Sequence, residues 1–362
     1  MTNEDFYPLR LKPITRAMIW GGRNLERWLG KTLPPGELIG ETWEAWEGCV
    51  VENGVHQGET LAALLAQDSQ NIVGTVQGRF PLLFKFIDAQ DDLSVQVHPN
   101  DAQAQTMEGQ PFGKTEAWYI IHADPGAQLI LGFKENVDRE TVAANLRANT
   151  LVNLLASTAV QRGDVIFVPA GMVHAIGKGI VLAEIQENSD ITYRFYDWGR
   201  VAQGRALHIE QSLQVCTFKR VPQPKIAPLT LRHATFDQQF LVACRYFVFE
   251  LLALRKPCQG LTTDGKFHIL SLIEGNANIH FGQDLAQRVA AKRGETFMLP
   301  ARLGAYALSP ATMSCAILRA YVPNLQADVI EPLLKGGHSM ADIARLGGSL
   351  AEHNDLLPLL QT

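Results

Sequence analysis

The sequence lacks the features that mark most secreted, membrane-bound and nucleic-acid-binding proteins. Its five cysteines are scattered, odd in number and without a CxxC pair, which argues against a disulfide scaffold and against a thiolate metal site. No run of about twenty apolar residues is present, so we expect no segment that spans a bilayer. The net charge of -5 gives no electrostatic reason to expect a nucleic acid or an anionic membrane as a partner.

The sequence also lacks a signal-peptide pattern and a phosphate-binding loop, which bear on the location of the protein and on its cofactors. The N-terminal stretch MTNEDFYPLR carries acidic side chains and has no apolar core, so we expect no signal peptide. Together with unpaired thiols, this favours a cytoplasmic protein. The segment GKGI, which follows His174, lacks the spacing of a phosphate-binding loop, so we expect no nucleotide cofactor. The sequence gives no indication of oligomeric state.

The composition and the spacing of strand patterns predict a mainly β protein with two domains. A chain of 362 residues with 46% hydrophobic and 19% charged residues is typical of a globular protein with a sizeable core. Many short apolar or alternating segments lie between turn residues, which indicates jelly-roll β-barrels with few helices. A proline-bearing linker at 221–228 separates an expected domain at 1–220 from a second at 221–324. We expect a helical, amphipathic tail at 325–362 with a capping box at Ser339 and Asp342.

The few helices that the pattern predicts are short. Apolar residues at helical spacing favour helices that begin near residue 60, over 137–149, over 151–155 and over 207–215. Residues before about 36 look extended, with a turn at 19–25.

The stretch GDVIFVPAGMVH, from Gly163 to His174, is the motif with the clearest chemical content. Its apolar run predicts a short buried strand that ends at Pro169, and Gly171 permits a tight turn that brings His174 back toward the sheet. The spacing resembles the second signature of the cupin superfamily, in which the histidine enters a small β-barrel and binds a metal. The alternative is a strand, a turn and a surface histidine.

A second copy of this spacing lies near the C-terminus. The segment GETFMLPARLGA, from Gly294 to Ala305, has Arg302 in place of the turn glycine and Ala305 in place of the histidine. We therefore expect the second domain to be a barrel of similar shape that holds no metal.

Upstream strands supply candidate partners for His174. Side chains two residues apart share a strand face, so Ser94, Gln96 and His98 lie together, and Lys114, Glu116 and Trp118 form a second such row. Both rows have an alternative interpretation as the solvated face of a half-exposed strand. In a barrel, however, one face of each strand points inward, where polar side chains need partners. Two imidazoles and a carboxylate suit zinc or another divalent first-row metal. The predicted ligand set is Gln96, His98, Glu116 and His174.

Longer segments resemble one branch of the cupins, the type I mannose-6-phosphate isomerases in their short bacterial form. They are WGG, GETWE, PLLFKFIDAQDDLSVQVHPND, GKTEAWYI and VPAGMVHAIGKGIVLAEIQENSDITYRFYDWGR, and the resemblance covers about residues 10–320. It implies one zinc ion per chain, bound at Gln96, His98, Glu116 and His174. It also places Ser94, Lys114 and Arg194 at positions of substrate binding and catalysis. The substrate implied is a small sugar phosphate.

The residues suit aldose–ketose isomerisation on chemical grounds as well. A proton must move between C1 and C2 through an enediol while a cation holds the phosphate. The planar donors of Arg194 suit a phosphate, and Lys114 beside a metal would be a candidate acid or base. Glu184 would support the site or carry protons. The residue that transfers the proton is left open.

Two other functions compete with the isomerase. One is a non-catalytic metal cupin that binds a sugar phosphate in a regulatory role, since HSMADIARLGGSL in the tail has some likeness to a helix-turn-helix. The other is a cupin that oxidises its substrate with dioxygen, which would prefer iron and a histidine-rich first motif that is missing here.

Overall fold

Antiparallel strands make up most of the protein. A computed structural model describes residues 6–74, 79–200 and 206–361. The strands of the first half are β1 (Leu9–Lys12), β2 (Ile14–Gly22), β3 (Ile39–Ala45), β4 (Val50–Val51), β5 (Leu82–Ala89), β6 (Val95–Val97), β7 (Glu116–Ala123), β8 (Gln128–Phe133), β9 (Leu155–Ala159), β10 (Val165–Val168), β11 (His174–Ile176), β12 (Ile180–Glu187) and β13 (Tyr193–Tyr196). Those of the second half are β14 (Lys225–Ile226), β15 (Leu229–Arg232), β16 (Phe236–Ala243), β17 (Val248–Leu254), β18 (Cys258–Thr262), β19 (His268–Glu274), β20 (Ala277–Phe281), β21 (Gln287–Ala291), β22 (Thr296–Leu299), β23 (Ala305–Pro310) and β24 (Cys315–Tyr321).

The helices are short, as expected from the sequence. They are α1 (Asn24–Leu29), α2 (Leu61–Val73), α3 (Asp101–Glu108), α4 (Arg139–Arg147), α5 (Ile209–Val215), α6 (Glu331–Lys335), α7 (Met340–Arg345) and α8 (Leu357–Leu360). Single 3-10 turns lie at Leu151–Leu154, Gln283–Leu285, Ala301–Leu303 and Ala351–His353, and Gln326–Ile330 is a π-helical turn. Within the described ranges, none of the helices is both long enough and apolar enough to cross a membrane.

The sheets are arranged in layers. In the first half, an outer sheet (β13-β6-β11-β8-β9) faces an inner sheet (β14-β10-β7-β12-β5-β3-β2) across an apolar core that includes Trp118, Ile166 and Leu131. In the second half, a sheet ordered β15-β16-β17-β24-β19-β22-β1-β4 faces a smaller one, β18-β23-β20-β21. The largest core joins the two halves, because Phe84 of β5 and Phe249 of β17 both belong to it.

These layers confirm the predicted fold class, mainly β and cupin-like with few helices. The two copies of the motif also occupy equivalent places. Pro169 follows β10 and His174 opens β11, just as Pro300 follows β22 and Ala305 opens β23. The helical tail is confirmed too, and the Ser339 side chain accepts a hydrogen bond from the backbone N–H of Asp342 at the start of α7.

Strands from each half of the sequence pair with a sheet of the other half. Residues Leu9–Lys12 of β1 pair with β22, in the register Leu9 opposite Met298, and with β4. In the other direction, β14 adds to β10 of the first half. The boundaries at 220 and 324 stay a prediction, since the second-half sheet includes β1 and β4 from the first half and the first-half sheet includes β14 from the second.

The N-terminal stretch predicted as a turn is instead the end of a strand and the start of a helix. β2 continues to Gly22, and α1 runs from Asn24 to Leu29 and is capped by Gly30, a residue with φ of +68°. Helix α3 was also missed, although it carries a clear signal. Asn100 accepts from the backbone N–H of Gln103, and the Gln103 side chain accepts from the backbone N–H of Asn100, which is a capping box.

Candidate metal centre and substrate cavity

The turn between β10 and β11 fixes the position of His174. Gly171 has a φ of +85°, and a Cβ there would come within 2.7 Å of the Thr217 hydroxyl oxygen. A side chain at this position would therefore strain the backbone and clash, so the turn requires glycine. The chain reverses and delivers His174 to the first position of β11, where it is fully buried opposite Gln96 of β6.

His98 and Glu116 converge on the same point from neighbouring segments. The Nε2 atom of His174 lies 3.0 Å from Oε1 of Glu116, and that of His98 lies 3.3 Å from the same oxygen. Donor atoms of the three residues all lie within 4.8 Å of one another, and all three side chains are buried. Ligands of a tetrahedral zinc ion stand about 3.3 Å apart, given bonds of about 2.0 Å, so the spacing suits a small divalent cation.

The hydrogen bonds of the two imidazoles leave the correct nitrogens for a metal. Nδ1 of His98 lies 2.8 Å from the carbonyl oxygen of Ile191, and Nδ1 of His174 lies 2.9 Å from that of Met172. Each Nδ1 must donate to its carbonyl, so each neutral ring points an Nε2 lone pair at Glu116. Oε1 of Glu116, the oxygen that both Nε2 atoms face, is buried without a hydrogen-bond donor in the described structure. Lone pairs facing a carboxylate repel it unless a cation lies between them, and the arrangement therefore fits a metal ion.

The charges around this centre favour neutral imidazole and an ionised carboxylate. Burial, together with the positive charge of Lys114, lowers the pKa of His98 to about 3. Burial alone would raise the pKa of Glu116, but Lys114 and the two histidines hold it well below its usual value. Both groups are therefore in their metal-binding protonation state at neutral pH.

Lys114 lies directly beside the centre. Its Nζ atom is 3.1 Å from Oε2 of Glu116 and 3.3 Å from Nε2 of His98, and its side chain is buried. Lys114 precedes β7, and its backbone N–H donates to the carbonyl of Pro99, which holds it against the segment after His98.

Gln96 and Ser94 share a face with His98, as the alternation of the strand predicts. Nε2 of Gln96 lies 3.2 Å from Nε2 of His174, and Oε1 accepts from the Ser94 hydroxyl at 3.4 Å. The amide is thus adjacent to the centre with its nitrogen toward it. A ligand role would require the oxygen to turn inward, and the assignment of Gln96 as a ligand stays a prediction.

A cavity of about 380 Å³ opens beside the metal centre. Among its walls are the predicted substrate residues Ser94, Gln96, Lys114, Glu184 and Arg194. Arg194 of β13 stands opposite Gln96 in the strand ladder, so it lies at the metal end of the cavity. Glu184 is buried, accepts from the indole N–H of Trp118 at 2.9 Å and lies 3.1 Å from the amine of Lys85. Burial and the neighbouring Glu116 raise the pKa of Glu184.

Several wall residues were not singled out from the sequence. They are Arg16, Glu41, Trp43, Lys85, Asp190 and Thr192. A signal was present for Lys85, since a lysine inside the apolar run PLLFKFI must point into either a core or a site. Its amine lies 3.6 Å from Glu41 and 3.1 Å from Glu184. Burial would lower the pKa of Lys85, but these two carboxylates raise it instead.

The second half carries no comparable centre in the part of the chain that the structure describes, where the cluster of His98, Glu116 and His174 is the group found with metal-binding spacing. Ala305, at the position equivalent to His174, has no donor atom. The next residue, Tyr306, instead accepts a hydrogen bond from Arg319, whose Nε donates to Glu250 at 2.6 Å in a buried ion pair.

Comparison with known proteins gives a consistent result. Residues 9–137 match the family model "Phosphomannose isomerase type I, catalytic domain", and residues 237–321 match "Mannose-6-phosphate isomerase, cupin domain". Mannose-6-phosphate isomerase ManA of Bacillus subtilis is 36% identical over 323 residues, covering 85% of this chain and 96% of that one.

Solved structures agree with these matches. The crystal structure of mannose 6-phosphate isomerase from Bacillus subtilis superposes with a TM-score of 0.78 at 30% identity, over 86% of this chain and 99% of that one. A mannose 6-phosphate isomerase bound with zinc and yttrium shares the fold, with a TM-score of 0.69 at 17% identity over 87% and 99% of the two chains. The extent and the level of these similarities place the chain in the type I mannose-6-phosphate isomerase family.

Proposed function

We propose that the protein interconverts mannose 6-phosphate and fructose 6-phosphate. The observation that carries the proposal is that the buried cluster of His98, Glu116 and His174 lies beside a polar cavity large enough for a hexose phosphate. Lys114 and Gln96 line this cavity and also contact the cluster. Family membership supplies the reaction, and the cavity supplies the groups that the reaction needs.

One zinc ion per chain is the proposed cofactor, held by Nε2 of His98, Nε2 of His174 and the carboxylate of Glu116, with Gln96 as a further ligand. A donor set of two imidazoles and one carboxylate is typical of catalytic zinc, which keeps a coordination position open. When bound, zinc supplies a Lewis acid that stabilises negative charge on neighbouring sugar oxygens.

The side chains around the centre would transfer protons, stabilise negative charge and bind the sugar hydroxyls. Lys114, beside Glu116 and His98, is placed to donate a proton to O1 and to accept one from O2 as the carbonyl moves from C1 to C2. Arg194, at the metal end of the cavity, keeps its charge throughout and would stabilise the enediolate. Ser94 and Glu184 would hold sugar hydroxyls, and Glu184 is also able to carry protons.

The regulatory alternative has less support. It depended on reading the tail as a helix-turn-helix, but the tail buries Ile343, Leu346 and Leu356 in the core that joins the two halves. We also propose that the first 220 residues carry the chemistry, that the cupin region at 221–324 is metal-free and that 325–362 is a packing element. Five free and buried cysteines support a cytoplasmic location.

A coupled assay tests the proposal directly. Purified protein with one equivalent of zinc should convert mannose 6-phosphate to fructose 6-phosphate, and removal of zinc with a chelator should abolish the conversion until zinc is restored. A metal-loaded protein that binds the sugar phosphate without turning it over would instead favour the regulatory function.

A further inference from the structure

The cations that line the cavity differ in how their charge is offset. Among the described residues of the wall they are Arg16, Lys85, Lys114 and Arg194. The amine of Lys85 lies near two carboxylates, those of Glu184 and Glu41, and the amine of Lys114 lies 3.1 Å from Glu116. Both lysines are thus buried and lie beside carboxylates of the protein, Lys114 at the metal end of the cavity.

Arg16 has a different environment. It lies on β2, the edge strand of the inner sheet, and its side chain is exposed. In the described part of the chain, no carboxylate lies within ion-pair distance of its guanidinium and no side-chain hydrogen bond to it is formed. The guanidinium carbon lies 4.3 Å from the centroid of the Trp43 ring, which is a stacked cation–π geometry. Arg16 therefore combines a held position with a charge that no direct ion pair in the described structure offsets.

The platform beneath Arg16 is itself rigid. Trp43 is buried, and its indole N–H donates to Glu41 at 2.7 Å. Glu41 lies 3.6 Å from the amine of Lys85 and directly opposite Arg16 in the β2–β3 ladder. Because stacking occupies one face of the guanidinium, its N–H groups at the edge stay available for a planar, bidentate contact. Such a contact is the usual way in which arginine binds a phosphate.

The position of Arg16 along the sheet suits the far end of a hexose phosphate. The order β7-β12-β5-β3-β2 places Glu116, at the metal centre, four strands from Arg16, which is about 19 Å across the sheet. The register aligns Arg16 with Ile120, four residues or about 13 Å along β7 from Glu116, so the two backbones are about 23 Å apart. Side chains from both ends reach into the cavity and shorten this gap. An extended hexose 6-phosphate spans about 9 Å from C1 to phosphorus and makes contacts of about 3 Å at each end. Arg194, opposite Gln96, is by contrast at the end where C1 and C2 would lie.

We propose that Arg16, stacked on Trp43, is the residue that binds the phosphate of the sugar phosphate and selects phosphorylated over unphosphorylated hexose. The proposal rests on the isomerase function proposed above and adds a specificity-determining residue to it. Arg194 then acts at the reacting carbons and not at the phosphate.

The test compares Arg16→Met with Arg16→Lys in the zinc-loaded protein. Loss of a charge-assisted contact should raise KM for mannose 6-phosphate roughly 10- to 100-fold in Arg16→Met. The kcat value should stay within about threefold of the wild-type value, since the chemistry at the metal end is untouched. Arg16→Lys keeps the charge but loses the planar pair of donors, so its KM should lie between those of the wild type and Arg16→Met. Inhibition by inorganic phosphate should weaken in parallel with the rise in KM.

A matched control is available in the chain. Arg27 is also exposed and stacks on a tryptophan, with its guanidinium carbon 4.9 Å from the Trp28 ring, but it lies outside the cavity. Arg27→Met should leave KM and phosphate inhibition unchanged.

Two outcomes would overturn the proposal. The first is a KM for mannose 6-phosphate in Arg16→Met that is within twofold of the wild-type value. The second is a direct titration in which Arg16→Met loses as much affinity for fructose as for fructose 6-phosphate. Absence of turnover in the wild type would refute the isomerase function instead. Titration of the zinc-loaded protein with inorganic phosphate still tests Arg16 in that case, because weaker binding in Arg16→Met supports the anion site and equal binding refutes it.

Discussion

The amine of Lys114 lies 3.1 Å from one oxygen of Glu116, and the other oxygen of Glu116 faces the Nε2 atoms of His98 and His174. One carboxylate therefore touches both the candidate metal centre and the candidate acid or base. The two residues are neighbours in space and near neighbours in sequence, yet their loss should have different consequences.

Glu116→Gln removes an anionic ligand, so metal affinity and isomerase rate should fall together, and excess zinc should restore part of the rate. Lys114→Met keeps the length of the side chain and removes the charge, so zinc should stay bound while turnover falls at least about 100-fold. The measurement is metal content and rate for both variants across a zinc titration. Zinc rescue of Lys114→Met, or unchanged metal affinity in Glu116→Gln, would contradict this division of roles.

Metal content should be about one divalent ion per chain, all of it at the first-half centre. The double variant His98→Ala, His174→Ala removes both imidazoles and should therefore bind no stoichiometric metal. Ala305→His in the wild-type background is a control, because a histidine alone at the equivalent place in the second half should not add a second ion. Retention of one ion by the double variant would place the site elsewhere.

Arg194→Met should lower kcat more than it raises KM. The guanidinium lies at the metal end of the cavity, where charge develops during the reaction, and a preorganised charge there is worth about 10² to 10³ in rate. Metal content should be unchanged, because no arginine is a ligand. Steady-state kinetics and metal analysis check the prediction, and a variant with near-normal kcat would exclude Arg194 from the chemistry.

Glu187 should make the protein less stable as the pH rises. Burial and the nearby Asp101 raise the pKa of Glu187 well above its ordinary value, while its Oε1 accepts from the backbone N–H of Thr115 at 2.8 Å. The native state therefore binds a proton that the unfolded state has already lost above about pH 4.5. It follows that the free energy of unfolding falls from that pH up to the native pKa of Glu187.

Glu187→Gln removes the titration and keeps the acceptor for Thr115. Its melting temperature relative to the wild type should therefore rise with pH, with a gain of more than about 2 °C at pH 8 and little difference at pH 4.5. Thermal unfolding of both proteins at a series of pH values gives the comparison. A gain that is the same at every pH would show that Glu187 does not titrate differently in the two states.

The ion pair of Arg319 and Glu250 should matter for stability and not for chemistry. Glu250 is fully buried and accepts from Arg319 at 2.6 Å and from Gln238 at 2.8 Å. Glu250→Ala leaves a buried guanidinium uncompensated and should cost about 3–5 kcal/mol of unfolding free energy. Glu250→Leu combined with Arg319→Met should recover much of this loss, while zinc content stays at the wild-type value in both. Chemical denaturation and metal analysis distinguish this from a second metal site.

The sequence was sufficient to bring His98, Glu116 and His174 together as a candidate metal site, because strand alternation is a strong constraint. His98 lies two residues from Gln96, and Glu116 lies two residues from Lys114, so each pair shares a strand face. The motif GDVIFVPAGMVH predicts a strand and a turn that bring His174 to the same point. The sequence also predicted that the second copy of the motif would lack a donor at Ala305.

Other parts depended on contacts between distant segments. Arg16 and Glu41 face the cavity because β2 and β3 extend the inner sheet beside β5, and no local pattern specifies that neighbour. Helix α1 was missed since its apolar residues, Leu25 and Leu29, give only one turn of periodicity. In α3, only Ala104 is buried, so the spacing of apolar residues did not indicate a helix. The signal that the sequence did contain was the N-terminal cap at Asn100.

The pairing of β1 with β22 has a consequence for how the protein is made. Leu9 leaves the ribosome long before its partner Met298, because the two are far apart in sequence. The second-half sheet therefore closes only after both β1 and β22 have emerged, and this long-range pairing should make its folding slow. A fragment that begins after residue 220 would also expose the β22 edge that β1 covers, and such an open edge recruits strands from other molecules. Removal of residues 1–12, which include β1, should thus promote aggregation through the exposed edge of β22 in the second half.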